Sequence, residues 1–388
     1  MPSGRIVFAQ LMDMLPRHEF NKCVDRYQGN HRVRRFSCLD QFLCMSFAQI
    51  TFRDSLRDTI VCLRAAKAKL YRMGIRGRVS RTTLADANEA RDWRIYADLA
   101  AVFITIARKL YADEPGVLAA DETVYAFDST TIDLCLSLFP WASFRKRKGA
   151  IKLHTLIDLR GPIPCFISVS DGKTVDMEAL DDLTLEPGAY YVMDRGYIDF
   201  RRLSRFNQCG AFFVVRSRSN LHYRRVRSRK VDKTTGLRSD ATVSLRGPKT
   251  RDLYPDHLRR VTFLDIEKRV RYSFLTNNFA LDALTIANLY KSRWGVELFF
   301  KWIKQNLKIK AFYGTSPNAV KTQIWIAITV YLLVAIMKKQ LRLPFSLGEI
   351  MAILSTTLLE EVPLSQPFTE YGVAISGQAS SNQLNLFN

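Results

Sequence analysis

The chain has 388 residues, with 58 Lys and Arg against 37 Asp and Glu, a formal net charge of +21 and 47% hydrophobic positions. This balance excludes a disordered or collagen-like chain, and the length suffices for two or three domains with a sizeable core. The seven cysteines form no CxxC pair and the five histidines do not cluster with them. That excludes a zinc finger and a disulfide framework and fits a reducing cytoplasm.

A surface this basic attracts polyanions, nucleic acid first among them. The opening residues, MPSGRIVFAQ, lack the basic and apolar pattern of an export signal, so a cytoplasmic location is expected. Residues 1–116 read as helical, with apolar positions at helical spacing in Phe8, Leu11, Met12 and Leu15 and again in Val102, Phe103 and Ile106. Within this part Ser80 suits an N-cap, ahead of a helix from near Thr82 and after a basic approach. This module reads equally as a DNA contact or as a solvated basic turn between structural helices.

Beyond Asp113, Glu114, Pro115 and Gly116 the pattern turns to strands. Residues 123–127 lead into Asp128; residues 152–159 and 163–169 flank Arg160, Gly161 and Pro162 as a hairpin; residues 190–193 lead into Asp194; residues 211–215 form another apolar run. Helical patterns fall at 175–183 and 200–206, so a mixed α/β sheet is expected.

Residues 216–275 read as a basic, β-rich insertion. Counted over 216–272, it holds 17 Lys and Arg against 6 Asp and Glu. Arg216, Arg218, Arg224, Arg225, Arg227, Arg229 and Lys230 crowd into fifteen residues with His222 and Tyr223. Basic runs commonly serve as solvated faces; the interleaved aromatics favour a track for a phosphate backbone. Helical periodicity returns over 281–309. Residues 322–337 then run without a charge, too short for the roughly 20 residues of a bilayer span, so a buried core helix is expected and no membrane partner. The polar end of the chain reads as a flexible tail.

Three acids stand out. Asp128 and Asp194 each close an apolar run, where open α/β sheets place active sites, although Asp128 could equally cap a helix starting near Thr130. Tyr290, Arg293, Glu297 and Lys304 fall along one face of a helix. Arg293 and Glu297 at i, i+4 could be an ordinary surface pair. The surrounding Trp294, Leu298, Phe299 and Phe300 favour instead an inward carboxylate that needs a partner or a metal.

At these residues the sequence resembles the bacterial insertion-sequence DDE transposases. Tyr290-x2-Arg293-x3-Glu297-x6-Lys304 is similar to their Tyr-Arg-Glu-Lys signature, and Asp128 in YAFDSTTIDL and Asp194 in YVMDRGYIDF resemble the first two acids of their triad. The resemblance implies a ribonuclease H-like mixed sheet, split by the β-rich insertion and preceded by a helical domain. The organisation expected is a DNA-binding domain at 1–116, catalytic parts at 117–215 and 276–345 around the insertion at 216–275, and a C-terminal segment and tail at 346–388.

It further implies that Asp128, Asp194 and Glu297 ligate two Mg²⁺ ions, with Mn²⁺ able to substitute. Such ions activate an attacking oxygen and stabilise the leaving 3′ oxygen in an in-line displacement on DNA. By the same resemblance Arg293 and Lys304 bind phosphate, Tyr290 contacts the backbone near the cleaved end, and Trp294 either assists a hairpin intermediate by displacing a base or is a core tryptophan. Lys146, Arg147, Lys148, Lys152 and His154 are expected to approach DNA phosphates.

The partners implied are double-stranded DNA of element ends and target, and a second copy of the chain in the synaptic complex, in the nucleoid-associated cytoplasm. Gln383, Leu384, Asn385, Leu386 and Phe387 resemble the pentapeptide that docks into the bacterial replication sliding clamp. A metal-dependent nuclease and a catalytically inactive DNA-binding regulator are the alternatives.

Overall fold

The structure, a computed structural model, describes residues 4–76, 79–118, 122–145, 148–306 and 312–369. The chain divides into two compact units, Tyr111–Lys301 and Met1–Leu110 with Trp302–Asn388.

The second of these begins with six helices, α1 (Val7–Met12), α2 (Arg17–Arg26), α3 (Cys38–Ile50), α4 (Leu56–Ala65), α5 (Arg81–Ala90) and α6 (Arg94–Leu110). Three of their starts follow capping chemistry. Ser37 and Asp40 form a capping box on α3, Ser55 accepts from the Asp58 amide on α4, and Ser80 accepts from the Thr83 amide on α5, one residue ahead of the expected start.

The other unit is built on one ten-stranded sheet. Its first strands are β1 (Val124–Leu134), β2 (Ser143–Arg145), β3 (Lys148–Asp158), β4 (Ile163–Asp171), β5 (Tyr190–Met193) and β6 (Phe212–Arg216), with α7 (Phe200–Gln208) between the last two. Then come β7 (Tyr223–Arg229), β8 (Leu237–Leu245), α8 (Pro248–Leu253), β9 (Leu258–Asp265) and β10 (Val270–Thr276), followed by α9 (Ala283–Ser292) and α10 (Trp294–Asn306). The spatial order is β2-β3-β1-β5-β6-β10-β9-β8-β7, with β4 also on β3; β1, β5 and β6 run parallel and the other pairs antiparallel.

The central strands are apolar on both faces because both are covered. Tyr125, Phe127, Tyr191, Met193, Phe213 and Val215 face one cluster with Phe200, Leu203 and Phe206 of α7. Val124, Val192 and Val214 face another with Ile286 and Leu289 of α9.

The expected hairpin forms as β3 and β4. Its turn needs glycine because a Cβ on Gly161 would lie 2.2 Å from Cδ1 of the Tyr111 ring. The basic segment folds as strands but makes no separate sheet, since β10 pairs with β6 and extends the common one. Residues 175–183 hold only a 3₁₀ turn, Asp176–Leu180, in place of the expected helix.

Two further helices complete the helical unit, α11 (Pro317–Gln340) and α12 (Leu347–Thr357). Ser316 caps α11 and Pro317 sits in its first turn, where its missing N–H is harmless. Its most apolar window is 94% buried, against α3, α5, α6 and α12, as the uncharged run 322–337 suggested.

Candidate active site

The parallel register of β1 and β5 builds the site. Val124, Tyr125, Ala126 and Phe127 lie beside Tyr190, Tyr191, Val192 and Met193, so the next residues, Asp128 and Asp194, emerge side by side on neighbouring strands. Asp128 does not cap a helix. It sits within an eleven-residue strand, because Ser129 to Leu134 continue the antiparallel ladder on β3 after the pairing with β5 ends. The β-branched Thr130, Thr131 and Ile132 suit that extension. Only relative to β5 does Asp128 mark a strand end.

The helical contribution also differs from a single face. Arg293 lies between α9 and α10, and its amide donates to the Tyr290 carbonyl three residues back. The Ser292 hydroxyl donates to the Leu289 carbonyl at 2.7 Å, a local competition that loosens a helical turn. The break aims Tyr290 and Arg293 at the strand carboxylates. Tyr290 Oη donates to Asp194 Oδ1 at 2.9 Å. Arg293 Nη1 donates to Asp128 Oδ2 and Nη2 to Glu297 Oε1, both at 2.5 Å. Lys304 lies farther along α10.

Burial raises the Asp128 pKa to about 6, against the lowering effects of Arg293 and the Ser129 amide, with Asp194 and Glu297 adding to the rise. Burial, followed by the Asp194 charge, pushes the Tyr290 hydroxyl upward and keeps it protonated as a donor. The Arg293 Nε is buried without a hydrogen-bond partner among the described residues.

Chemically, the donor set suits a hard divalent cation, since all three acids offer carboxylate oxygen. Asp194 Oδ2 and Glu297 Oε2 accept no hydrogen bond among the described residues. Among the same residues, however, no three His, Cys, Asp or Glu side chains converge on a single ion. The Arg293 guanidinium instead supplies the compensating charge between Asp128 and Glu297.

The sequence pointed to some neighbours wrongly and missed others. Lys152 and His154 do not reach outward: Lys152 Nζ donates to the Thr174 carbonyl at 2.8 Å and pairs with Asp176 at 3.1 Å, while His154 is fully buried with Nε2 2.9 Å from Ser170 Oγ. Ser129 Oγ donates to Asp176 Oδ1 beside the first acid. The Tyr197 hydroxyl is buried, and burial pushes its pKa upward, opposed by a hydrogen bond with Ser129 and reinforced by the charges of Asp128, Asp176 and Asp194. The only hint of Tyr197 was its place three residues after Asp194.

Trp294 is 57% exposed and therefore not a core tryptophan; Leu298, one turn on, is 50% exposed. Of the basic residues, Arg224, Arg225, Arg227 and Lys230 are exposed. Arg216 lies over the Tyr272 ring, Arg218 donates to the Ile198 carbonyl at 3.3 Å, and Arg229 donates to Asp240 at 3.2 Å. Lys148 opens β3, whereas Lys146, Arg147, Gln383, Leu384, Leu386 and Phe387 lie outside the described residues.

Comparison with known proteins points to transposases. Residues 119–333 match the family described as the transposase DDE domain, and residues 3–76 match a domain of unknown function. The chain is 34% identical over 257 residues to y4zB of Sinorhizobium fredii, named as a transposase, covering 65% of this chain and 70% of that protein. It is 33% identical over 208 residues to a Geobacillus stearothermophilus protein named as a transposase for insertion sequence element IS5377, covering 53% and 54%. A Synechocystis protein named as a transposase for IS4SA is 24% identical over 358 residues, 90% and 94% of the two chains.

Proposed function

Because the chain belongs to the DDE transposases of bacterial insertion sequences, we propose that it binds the terminal inverted repeats of its own element and catalyses Mg²⁺-dependent strand cleavage and strand transfer. One observation carries this reading: the β1–β5 register sets Asp128 beside Asp194, and Arg293 ties Asp128 to Glu297.

DNA is the partner of such an enzyme. Asp128, Asp194 and Glu297 would hold the divalent ions, which when bound activate the attacking oxygen and stabilise the leaving 3′ oxygen. The protein's own groups prepare the site. The Tyr290 hydroxyl fixes the Asp194 rotamer, the short backbone bond from Ser129 fixes Asp128, and Arg293 balances the crowded negative charge until substrate phosphate is present. On DNA, Arg293 and Lys304 serve as the phosphate contacts of the Tyr-Arg-Glu-Lys signature.

The exposed Trp294 supports a cut-and-paste route through a hairpin, stacking on an extruded base. Exposed Arg224, Arg225, Arg227 and Lys230 support a second contact along the backbone. A ribonuclease H-like core, a dimer in the synaptic complex, a cytoplasmic site of action and docking of residues 383–387 on the sliding clamp belong to the same proposal.

The test is strand transfer from a precleaved end oligonucleotide into supercoiled plasmid with Mg²⁺, beside Glu297→Gln. Joining that vanishes in the variant is expected. Cutting without joining would favour a nuclease, and end binding without either activity an inactive regulator.

A further inference from the structure

A cleft of about 720 Å³ opens in the N-terminal helical module, lined among others by Arg17, Arg34, Arg35, Arg76, Asp40 and Tyr71. It lies wholly within the stretch that matches a domain of unknown function. Its floor is the start of α3. The four arginines come from the first turn of α2, the loop before α3 and the turn after residue 74.

What sets them apart in this module is that they converge on one concavity. Several others in it are matched to acids: Arg5 to Asp13, Arg26 to Asp98, Arg72 to Glu361 and Arg94 to Asp92. The four cleft arginines are exposed, and no side-chain hydrogen bond or ion pair engages them among the described residues. One acid, Asp40, does line the cleft, but it is 4% exposed and already satisfied. Its Oδ2 accepts from the Ser37 amide at 2.8 Å and hydroxyl at 2.6 Å, and its Oδ1 from the Arg76 amide at 3.0 Å. Asp40 therefore shapes the cleft without neutralising it. Tyr71, 83% exposed, adds a hydroxyl at the rim.

Several guanidinium groups facing one open, polar concavity fit successive phosphates, which they can bind bidentately. We propose that this cleft is a clamp for the phosphate backbone of duplex DNA, gripping without reading sequence. Phosphate contacts fix position and affinity but carry no base information. The inference rests on the transposase reading for its choice of polyanion, and gives the helical module a contact separate from the basic β7 strand.

The test uses the full-length chain and fluorescence anisotropy with two duplexes, one carrying the element end and one scrambled, over a salt series. The variants are Arg34→Ala/Arg35→Ala/Arg76→Ala and, as control, Arg57→Ala/Arg64→Ala. The control arginines are also exposed and unpartnered among the described residues, but lie outside the cleft on α4. The cleft variant should lose at least about tenfold in affinity for both duplexes, leave their affinity ratio unchanged, and flatten the log–log salt slope by about 3, near 0.9 per lost phosphate contact.

A triple Arg→Lys variant at 34, 35 and 76 should keep the slope. Equal losses in the control would trace the effect to net charge and overturn the clamp, as would an unchanged slope or a loss confined to the end duplex. Absence of strand transfer by the wild-type chain would refute the transposase reading alone, since the anisotropy result stands apart from it.

Discussion

Replacing Asp240 should unfold the sheet-bearing unit well below the temperature of the wild type. Arg259 Nε and Nη2 donate to the two oxygens of Asp240, each at 2.9 Å, and the side chains are 3% and 4% exposed. Arg259 Nη1 also donates to the carbonyls of Asn278 and Leu281, tying β8 and β9 to the turn that begins α9. Asp240→Ala would leave that guanidinium buried without a counter-charge, at a cost of about 3–5 kcal/mol. The second partner, Arg229, is a third exposed and can turn to water, so it adds little. For a unit of this size each kcal/mol moves Tm by about 2–4 °C, which gives a fall of about 6–20 °C by calorimetry. Arg259→Met in the Asp240→Ala background removes the orphaned charge and should restore at least half the loss. A fall in stability below about 1 kcal/mol for Asp240→Ala, measured by urea unfolding, would refute the argument.

Other outcomes follow from the site. Asp128, with a pKa near 6 against about 3.9 for a free aspartate, binds its proton more readily in the folded state. Its contribution is therefore fully present below about pH 4 and is lost as pH rises through 6, on the order of 3 kcal/mol. Asp128→Asn should flatten that part of the melting profile of the metal-free protein. Calorimetric titration with Mn²⁺ should show binding weakening below about pH 6, where Asp128 is protonated. Tyr290→Phe deletes the bond to Asp194 and should cost about 0.5–1.5 kcal/mol in thermal unfolding, with a larger fall in strand-transfer rate than in DNA affinity. Trp294→Ala, at a 57% exposed position, should leave stability within about 0.5 kcal/mol while reducing hairpin-ended products on denaturing gels.

What could be read in advance depended on how local the cause was. The strand Tyr190–Met193 was legible because all four residues are buried and it is apolar on both faces. The uncharged run 322–337 announced a core helix by length and composition. Asp128, Asp194 and Glu297 were found through motif resemblance, yet the continuation of β1 past Asp128 was not, since Asp-Ser-Thr-Thr reads like a turn and its partner β3 lies about 20 residues away. The break at Arg293 was equally hidden. Helical spacing runs through it, and only the Ser292 back-bond and the carboxylates on distant strands give Arg293 its role. The arginine cleft draws on residues from 17 to 76, so no single window of sequence displays it.

The outermost strand, β7, bears on solubility. Among the described residues it has no neighbour on one side, and an unpaired edge is a template on which a second sheet can grow. Exposed Arg224, Arg225 and Arg227 line that edge, and two such strands brought together would set like charges against each other. The positive charge on this strand thus also keeps copies of the chain apart. Variants that neutralise β7 with small apolar residues will be prone to edge-to-edge aggregation, so glutamine or serine is the sounder replacement when the proposed DNA contact is tested.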